Sequence, residues 1–197
     1  MRRLLVCSKN DHKTQEIRTI LGCQFDVENL SAVARWEDIE ETGGTFEENA
    51  TLKAEAGSVL FDGWVVADDS GLEVDALGGR PGIHSARYAG SEATDTQNIQ
   101  KLLGELRDIP APHRSARFQC ALVIARAGRK LAAFSGTIEG HIAEHPEGGA
   151  GFGYDPVFVP EGYTRAFAAL PAEIKNRLSH RARALEKLAA WGGWESP

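Results

Sequence analysis

The sequence predicts an α/β protein with a mixed β-sheet, and three observations carry this prediction. A short apolar strand, a polar loop and a helix follow one another at the N-terminus; capped helices recur further along; and two long strands form a hairpin near the middle. Crossover helices accompany parallel strands, whereas tight turns join antiparallel ones. Both kinds of connection in one chain indicate a mixed sheet flanked by helices.

The chain begins with a strand, a loop and a helix. Residues 3–7 (Arg-Leu-Leu-Val-Cys) predict a short buried strand, and Asn10 or Asp11 opens a helix whose apolar residues recur at helical spacing until Gly22 ends it. A second short strand is predicted at residues 25–29.

Two capped helices surround the next strand. Residues 45–48 (Thr-Phe-Glu-Glu) and 94–97 (Thr-Asp-Thr-Gln) both match the capping box that starts a helix. Between these helices, an apolar strand at residues 64–67 ends in Asp68-Asp69-Ser70-Gly71, beyond which residues 72–74 continue extended. A carboxylate pair should therefore lie in a turn at a strand end.

The second half of the chain supplies the hairpin and a final helix. Residues 115–125 alternate apolar and polar side chains, and with residues 130–138 they form an antiparallel hairpin. A glycine-rich loop at residues 148–156 precedes a short strand at 157–159, and Ser179 is placed to cap the last helix.

Length and composition predict a single domain over residues 1–197. The 197 residues are 42% hydrophobic and contain no linker or repeat, and no apolar run approaches the roughly 20 residues of a membrane helix. The first residues are too polar for a secretory signal. Three cysteines (Cys7, Cys23 and Cys120) without close spacing argue against a disulfide framework or a structural zinc site. These features predict a cytoplasmic protein without a membrane partner.

The charge argues against a nucleic-acid partner. Twenty-two Lys and Arg residues against 28 Asp and Glu give a net charge of −6, the wrong sign for binding a polymer of phosphates. A small anion can still bind where a few cations converge or where a divalent metal bridges it to carboxylates.

Carboxylates at two places are candidate metal ligands. Adjacent Asp68 and Asp69 could direct one oxygen at a metal and another at water, although Asp and Ser are also common in surface turns. Glu41 lies in an acidic segment that could add a magnesium ligand or form a solvated face matched to a helix dipole.

The first loop is a candidate phosphate site. It consists of Ser8, Lys9, Asn10, Asp11, His12 and Lys13. A helix N-terminus with a lysine can cradle phosphate, but the loop lacks the Walker pattern and also fits an ordinary N-cap. Lys53 could contribute a further cation or be a solvent-exposed lysine.

Two later segments are candidate base-binding sites. Phe152, Gly153, Tyr154 and Asp155 offer rings and an acceptor for stacking a base, or they anchor a loop in the core. Lys175, His180 and Arg181 belong to a cluster of donors suited to phosphate and base edges, or to a basic helix end.

Taken together, these motifs strongly resemble the inosine triphosphate pyrophosphatase family, whose members act on non-standard purine nucleoside triphosphates such as dITP, ITP and XTP. The resemblance extends from Leu4 to about Leu188. The segments that carry it are residues 8–13, 41–50, 67–71, 85–88, 151–156 and 179–181. The sequence departs from the family at Lys9, where glycine is usual, and at Leu170, where methionine is usual.

The resemblance implies an elongated mixed sheet, two lobes around a nucleotide-binding cleft, a homodimer, and magnesium-dependent hydrolysis to a monophosphate and pyrophosphate. It assigns Ser8, Asn10, Lys13 and Lys53 to the phosphates, Glu41 and Asp69 to magnesium, and Asp69 also to general-base catalysis. The resemblance also implies that Asp68 and Ser70 support Asp69 and contact the substrate. By the same resemblance, Phe152 to Asp155 would hold the base and the ribose, and Lys175 would contact a phosphate or the base. His180 and Arg181 would contact the 6-oxo edge of the purine.

Two alternatives stay open at this point. A pyrophosphatase of the Maf type is similar in fold but acts on other nucleotides, and the segments 152–155 and 179–181 argue against it. A non-catalytic nucleotide-binding module would tolerate the loss of Asp69 and Glu41, both of which are present.

Overall fold

A computed structural model describes residues 2–21, 24–33, 36–37 and 39–195. Its six strands form one mixed sheet in the order β2-β1-β3-β4-β5-β6. The strands are β1 (Arg2–Val6), β2 (Phe25–Glu28), β3 (Trp64–Val74), β4 (Ser115–Arg126), β5 (Arg129–Ile142) and β6 (Phe158–Pro160). The α-helices are α1 (Asp11–Leu21), α2 (Phe46–Leu60), α3 (Asp95–Glu105), α4 (Ala172–Leu178) and α5 (His180–Ala189).

The predicted mixture of parallel and antiparallel pairs is confirmed. β1 pairs in parallel with both β2 and β3, and β5 pairs antiparallel with β6. Only two residues, Ala127 and Gly128, join β4 to β5, and their φ angles of 51° and 76° are the positive values that a tight hairpin turn needs. Sequence reasoning did not predict the short helix α4.

The chain divides into two compact units. Unit 1 comprises Met1–Asp69, Cys120–Gly136 and Arg181–Pro197, and unit 2 comprises Ser70–Gln119 and Thr137–His180. In unit 1, Leu4 of β1 packs with α1 and α5 residues, whereas its neighbour Leu5 packs with α2 residues. Successive strand residues point to opposite faces, so helices cover both faces of the sheet here.

Unit 2 has its own apolar core. Buried side chains of the β3, β4 and β5 segments in this unit pack with Ile99 and Leu102 of α3, as the helical spacing predicted, and with Phe158 and Phe167. The predicted capping box is complete: the Thr94 hydroxyl accepts from the Gln97 amide, and the Gln97 side chain accepts from the Thr94 amide. The candidate residues 152–155, Lys175 and His180 also belong to this unit.

One local prediction is half right. Thr45 caps α2, since its hydroxyl accepts from the Glu48 N–H at 3.1 Å. The reciprocal bond differs, because the Glu48 carboxylate accepts from the Gly44 N–H at 2.7 Å. The side chain thus binds the loop one residue before the cap. Gly22, predicted to end α1, and Cys23 lie outside the described residues.

The predicted turn at Asp68-Asp69-Ser70-Gly71 is wrong, because these residues lie inside β3. β1 pairs with β3 only at its start, up to Val66, and β3 continues beside β4, where the context of the sheet favours extended backbone over the turn preference of Asp, Ser and Gly. Adjacent Asp68 and Asp69 therefore point to opposite faces of one strand.

Candidate active site

The predicted phosphate loop connects β1 to α1 in unit 1. The Asn10 side chain accepts from the Lys13 N–H at 3.1 Å, and the Ser8 hydroxyl accepts from the Asn10 N–H at 3.1 Å. Asn10 thus serves as the cap that opens α1, as one of the two interpretations of this loop proposed. Lys9, Asp11 and His12 are exposed. The loop presents the N-terminus of α1 together with Lys13.

On one face of β3, Asp69 meets side chains that α2 and the preceding loop supply. Lys53 Nζ lies 3.1 Å from Asp69 Oδ1 and 2.8 Å from Glu41 Oε1, and it also donates to the Asp68 carbonyl at 3.0 Å. The second Asp69 oxygen, Oδ2, accepts from Asn49 Nδ2 at 3.3 Å. One partly buried ammonium group is therefore shared by two carboxylates.

On the other face, Asp68 is enclosed by cations from α1 and α5. Lys13 Nζ lies 2.5 Å from Asp68 Oδ1, and Arg181 Nε lies 2.8 Å from Oδ2. The Cys120 thiol also donates to Oδ2 at 3.2 Å. Arg181 Nη1 pairs with Glu16, so this guanidinium, whose side chain is 1% exposed, bridges two carboxylates.

The two aspartates have opposite pKa shifts. Burial alone would raise the pKa of Asp68, but the charges of Arg181 and Lys13 outweigh it and hold the pKa well below its usual range. For Asp69, burial is the largest effect and raises the pKa, aided by the Glu41 charge and only partly opposed by Lys53 and Lys13. Asp68 is a fixed negative charge, whereas Asp69 is the carboxylate better able to accept a proton.

Lys53 remains charged in this environment. Burial would lower the pKa of Lys53, yet the Asp69 and Glu41 carboxylates raise it above its ordinary value. The lysine side chain is 14% exposed and pairs with both carboxylates, so it is not the solvent-exposed residue that was its alternative interpretation.

The donor chemistry of Glu41 and Asp69 fits a magnesium ion. Both carboxylates already face one cation, the Lys53 ammonium. Among the described residues, no group of three or more His, Cys, Asp or Glu side chains could hold a metal. Mg²⁺ commonly binds through one or two carboxylates, with water and substrate phosphates completing its shell. Two carboxylates are thus an adequate protein contribution.

A second group of predicted residues lies in unit 2. Lys175 Nζ is 2.5 Å from Asp155 Oδ2 and 4.4 Å from the centre of the Phe152 ring. The same Asp155 oxygen accepts from the Phe152 N–H at 2.9 Å, and the Gly153 N–H donates to Asp95. The structure therefore brings Lys175 and the 152–155 loop together.

Two members of this group are packed into the unit 2 core. The Tyr154 ring is buried and its hydroxyl donates to the Ser85 carbonyl at 2.9 Å. The His180 ring stacks on Phe118, with centroids 4.9 Å apart and planes 15° apart. Tyr154 therefore anchors the loop, which was the alternative interpretation of its ring. Ser70, the first residue of unit 2, is partly exposed within β3.

Two residues of unit 1 that contact the site were not among the candidate site residues predicted from the sequence. Asn49 contacts Asp69, and Glu16 contacts Arg181. Asn49 had one usable signal: it is a polar residue on the side of a capped helix where Ala50 and Ala54 are buried. Nothing in the local pattern distinguishes Glu16 from other polar residues on α1.

Comparisons with known proteins match this chain over nearly its full length. The model of the Ham1 family matches residues 4–191. A dITP/XTP pyrophosphatase of Halalkalibacterium halodurans is 50% identical over 192 residues, covering 97% of this chain and 99% of the relative. A protein of the same name from Bacillus subtilis is 46% identical, with 96% of each chain covered.

Solved structures agree with the sequence comparisons. The Staphylococcus aureus Ham1 protein superposes with a TM-score of 0.85 at 41% identity, covering 96% of this chain and 97% of that one. The crystal structure of a nucleoside-triphosphatase / dITP/XTP pyrophosphatase from Mycobacterium abscessus gives a TM-score of 0.76 at 41% identity, covering 96% of this chain and all of the other. No helix in the described part of the chain is long and apolar enough to cross a membrane.

Proposed function

The chain belongs to the Ham1 family, and we propose that it hydrolyses dITP/ITP and XTP/dXTP to the nucleoside monophosphate and pyrophosphate, which removes them from the nucleotide pool. The observation that carries the proposal within the molecule is the ion-paired arrangement of Glu41, Asp69 and Lys53, which joins metal-binding carboxylates to a phosphate-binding cation. The relatives' names supply the substrate class.

Magnesium is the cofactor that we propose, held by Glu41 and Asp69. When bound, it would neutralise phosphate charge and make a coordinated water more acidic. Lys53 and Lys13 add positive charge on either side of β3, and the α1 N-terminus offers backbone N–H groups to phosphate oxygens. Local cations thereby overcome the repulsion expected from a net charge of −6.

Asp69 is the general base in this proposal. Of the two adjacent aspartates, it is the one whose pKa is raised, whereas the pKa of Asp68 is lowered, so Asp69 is the better proton acceptor of the pair. The water oxygen bonds to the α-phosphorus as the bond from that phosphorus to the bridging oxygen breaks, and pyrophosphate leaves. Asp68 is unsuited to this task, because Lys13 and Arg181 neutralise it.

The base is assigned to Phe152, Asp155, Lys175, His180 and Arg181. Lys175 and the 152–155 loop are already in contact, which supports their joint use. Arg181 donates only, so it suits the 6-oxo acceptor of hypoxanthine or xanthine and disfavours a 6-amino group. Its guanidinium pairs with Asp68 and Glu16 in this structure, so reading a base requires it to exchange part of that pairing.

The family resemblance also underlies the proposal of a homodimer, whereas the proposal of a cytoplasmic location comes from the sequence features described above. A helix that could cross a membrane is absent from the residues that the structure describes. Self-association is a matter for direct measurement of mass in solution.

One experiment tests the reaction. The protein is incubated with dITP and Mg²⁺ in ¹⁸O-labelled water, and the products are identified by mass spectrometry, with ATP, GTP and dTTP as comparison substrates. The expected products are ¹⁸O-labelled dIMP and unlabelled pyrophosphate, formed from dITP much faster than products form from the standard nucleotides. Release of orthophosphate and dIDP would contradict the proposed bond cleavage, and preferential turnover of dTTP would favour a Maf-type activity.

A further inference from the structure

Asn49 links Asp69, one of the two carboxylates proposed to hold magnesium, to the loop that carries the other, Glu41. Its side chain is 0% exposed at the fourth residue of α2. The amide nitrogen donates to Asp69 Oδ2 at 3.3 Å, and the amide oxygen accepts from the Gly43 N–H at 2.8 Å. Gly43 stands two residues after Glu41. A single planar group therefore connects the β3 carboxylate to the loop that carries the other one.

The loop beside Glu41 is closely fitted to this side chain. A Cβ placed on Gly43 would lie 2.6 Å from the Glu48 Cβ and 2.8 Å from Asn49 Oδ1, distances that require a shift. The Gly44 N–H donates to the Glu48 carboxylate at 2.7 Å. Two successive backbone donors of the loop are thus held by the first turns of α2.

Asn49 and Lys53 contact different oxygen atoms of the Asp69 carboxylate. Lys53 contacts Oδ1 and Asn49 contacts Oδ2, so the rotation of the carboxylate is restricted from both sides. Lys53 also contacts Glu41, but its long side chain is flexible. A short, buried amide that both donates and accepts is a more rigid connection, and aspartate or leucine at this position could not make both bonds.

We propose that Asn49 is a positioning residue that sets the geometry of Glu41 and Asp69 for the divalent metal, an inference that rests on the proposed function. It touches neither substrate nor metal in this role, and it acts through Asp69 and through the backbone of the loop that carries Glu41. Hydrogen-bond partners of metal ligands typically affect metal affinity or activity by about 10–100-fold, and the same range is expected here.

The chain contains a matched control. Asn98 is also the fourth residue of a threonine-capped helix, α3, and its side chain is 2% exposed. Its amide oxygen accepts from the Ala89 N–H at 2.8 Å, and its amide nitrogen donates to the Ala86 carbonyl at 3.1 Å. Asn98 therefore has the same structural task in unit 2, without a carboxylate partner.

The test compares Asn49→Leu with Asn98→Leu, since leucine has a similar size and removes both side-chain hydrogen bonds. Mn²⁺ binding to the nucleotide-free protein is measured from the EPR signal of free Mn²⁺, and the Mg²⁺ concentration at half-maximal dITP hydrolysis is measured in parallel. For Asn49→Leu we expect the Kd for Mn²⁺ and the half-maximal Mg²⁺ concentration each to rise about 10–100-fold, with kcat recovering at saturating Mg²⁺. For Asn98→Leu both should stay within about two-fold of wild type.

Gly43→Ala provides a second route to the same connection, from the loop side, should Asn49→Leu not fold. Its added Cβ should weaken Mn²⁺ binding in the same range while circular dichroism shows a native fold. Wild-type metal affinity in a folded Asn49→Leu or Gly43→Ala variant, or an equal loss in Asn98→Leu, would overturn the role of Asn49. Failure of the wild-type protein to release pyrophosphate from dITP, with metal binding lost only in the Asn49 and Gly43 variants, would instead overturn the proposed function alone.

Discussion

Replacing Asp68 by asparagine should destabilise the protein strongly, whereas the same change at Asp69 should not. Asp68 has a side chain that is 0% exposed, and its charge is shared by Lys13 and Arg181. In the Asp68→Asn variant, the neutral amide would leave both cations without this counter-charge in a buried place. Asp69 differs because its ionised form is already disfavoured by burial.

The magnitude follows from the burial of the ion pair. Removing one partner of a buried pair costs about 3–5 kcal/mol, because the other charge stays desolvated and uncompensated. For a protein of this size, each kcal/mol corresponds to a fall of roughly 2–4 °C in melting temperature. Asp68→Asn should therefore melt about 6–20 °C below wild type at pH 7.

The stabilisation by Asp68 should depend on pH, and the direction follows from its lowered pKa. The folded protein lowers the pKa of Asp68, so the unfolded chain binds its proton first as the pH falls. The stabilisation is complete above the unfolded pKa of about 3.9 and is lost as the pH falls through the folded pKa. The difference in stability between wild type and Asp68→Asn should hence shrink below about pH 4.

Asp69→Asn is the adjacent control. The raised pKa of Asp69 means that its ionisation costs stability as the pH rises through the folded pKa, and an amide removes that cost. Its melting temperature at pH 7 should equal or exceed that of wild type, while kcat for dITP falls by roughly 10²–10⁴-fold as expected for loss of a general base.

The assay is thermal unfolding followed by circular dichroism between pH 3 and 8, combined with dITP turnover at saturating Mg²⁺. Similar melting temperatures for wild type and Asp68→Asn at pH 7 would refute the reasoning about the buried charges. Near-normal turnover by folded Asp69→Asn would show that this carboxylate is not the base.

Three further outcomes are expected. Lys53→Met should lower kcat/KM for dITP by about 10²–10³-fold, as loss of one charged contact to a reacting phosphate does, while Mn²⁺ binding persists; unchanged kinetics would contradict its phosphate role. Arg181→Ala should reduce kcat/KM for ITP and XTP far more than for ATP, eroding a preference that buried hydrogen bonds can set at roughly 10⁴-fold, and equal losses would assign Arg181 to structure or phosphate. Light scattering at micromolar concentration should return about twice the 21.3 kDa chain mass, and a single species near 21.3 kDa would exclude the homodimer.

Local chemistry made several elements predictable from sequence. Thr45 and Thr94 start α2 and α3 through bonds to amides three residues away, and Asn10 opens α1 in the same way. The turn at residues 127–128 joins neighbouring strands. Such contacts span only a few residues, so the residues that form them are visible together in the sequence.

The family and its candidate residues were also accessible from sequence, because the motifs occur in a characteristic order over almost the whole chain. What this order could not show is the partner of each side chain. The sequence placed Lys53 among candidate cations, for example, but its position between Glu41 and Asp69 depends on where a loop and a strand meet α2.

The tertiary structure alone decided the different roles of Asp68 and Asp69. Local preferences predicted a turn, but both residues belong to β3, an interior strand of the sheet, and their side chains therefore point to opposite faces. Asp68 then meets Arg181, 113 residues away, whereas Asp69 meets Asn49 and Lys53. Adjacent, chemically identical groups acquire opposite pKa shifts because burial and charge depend on distant segments that only folding brings together.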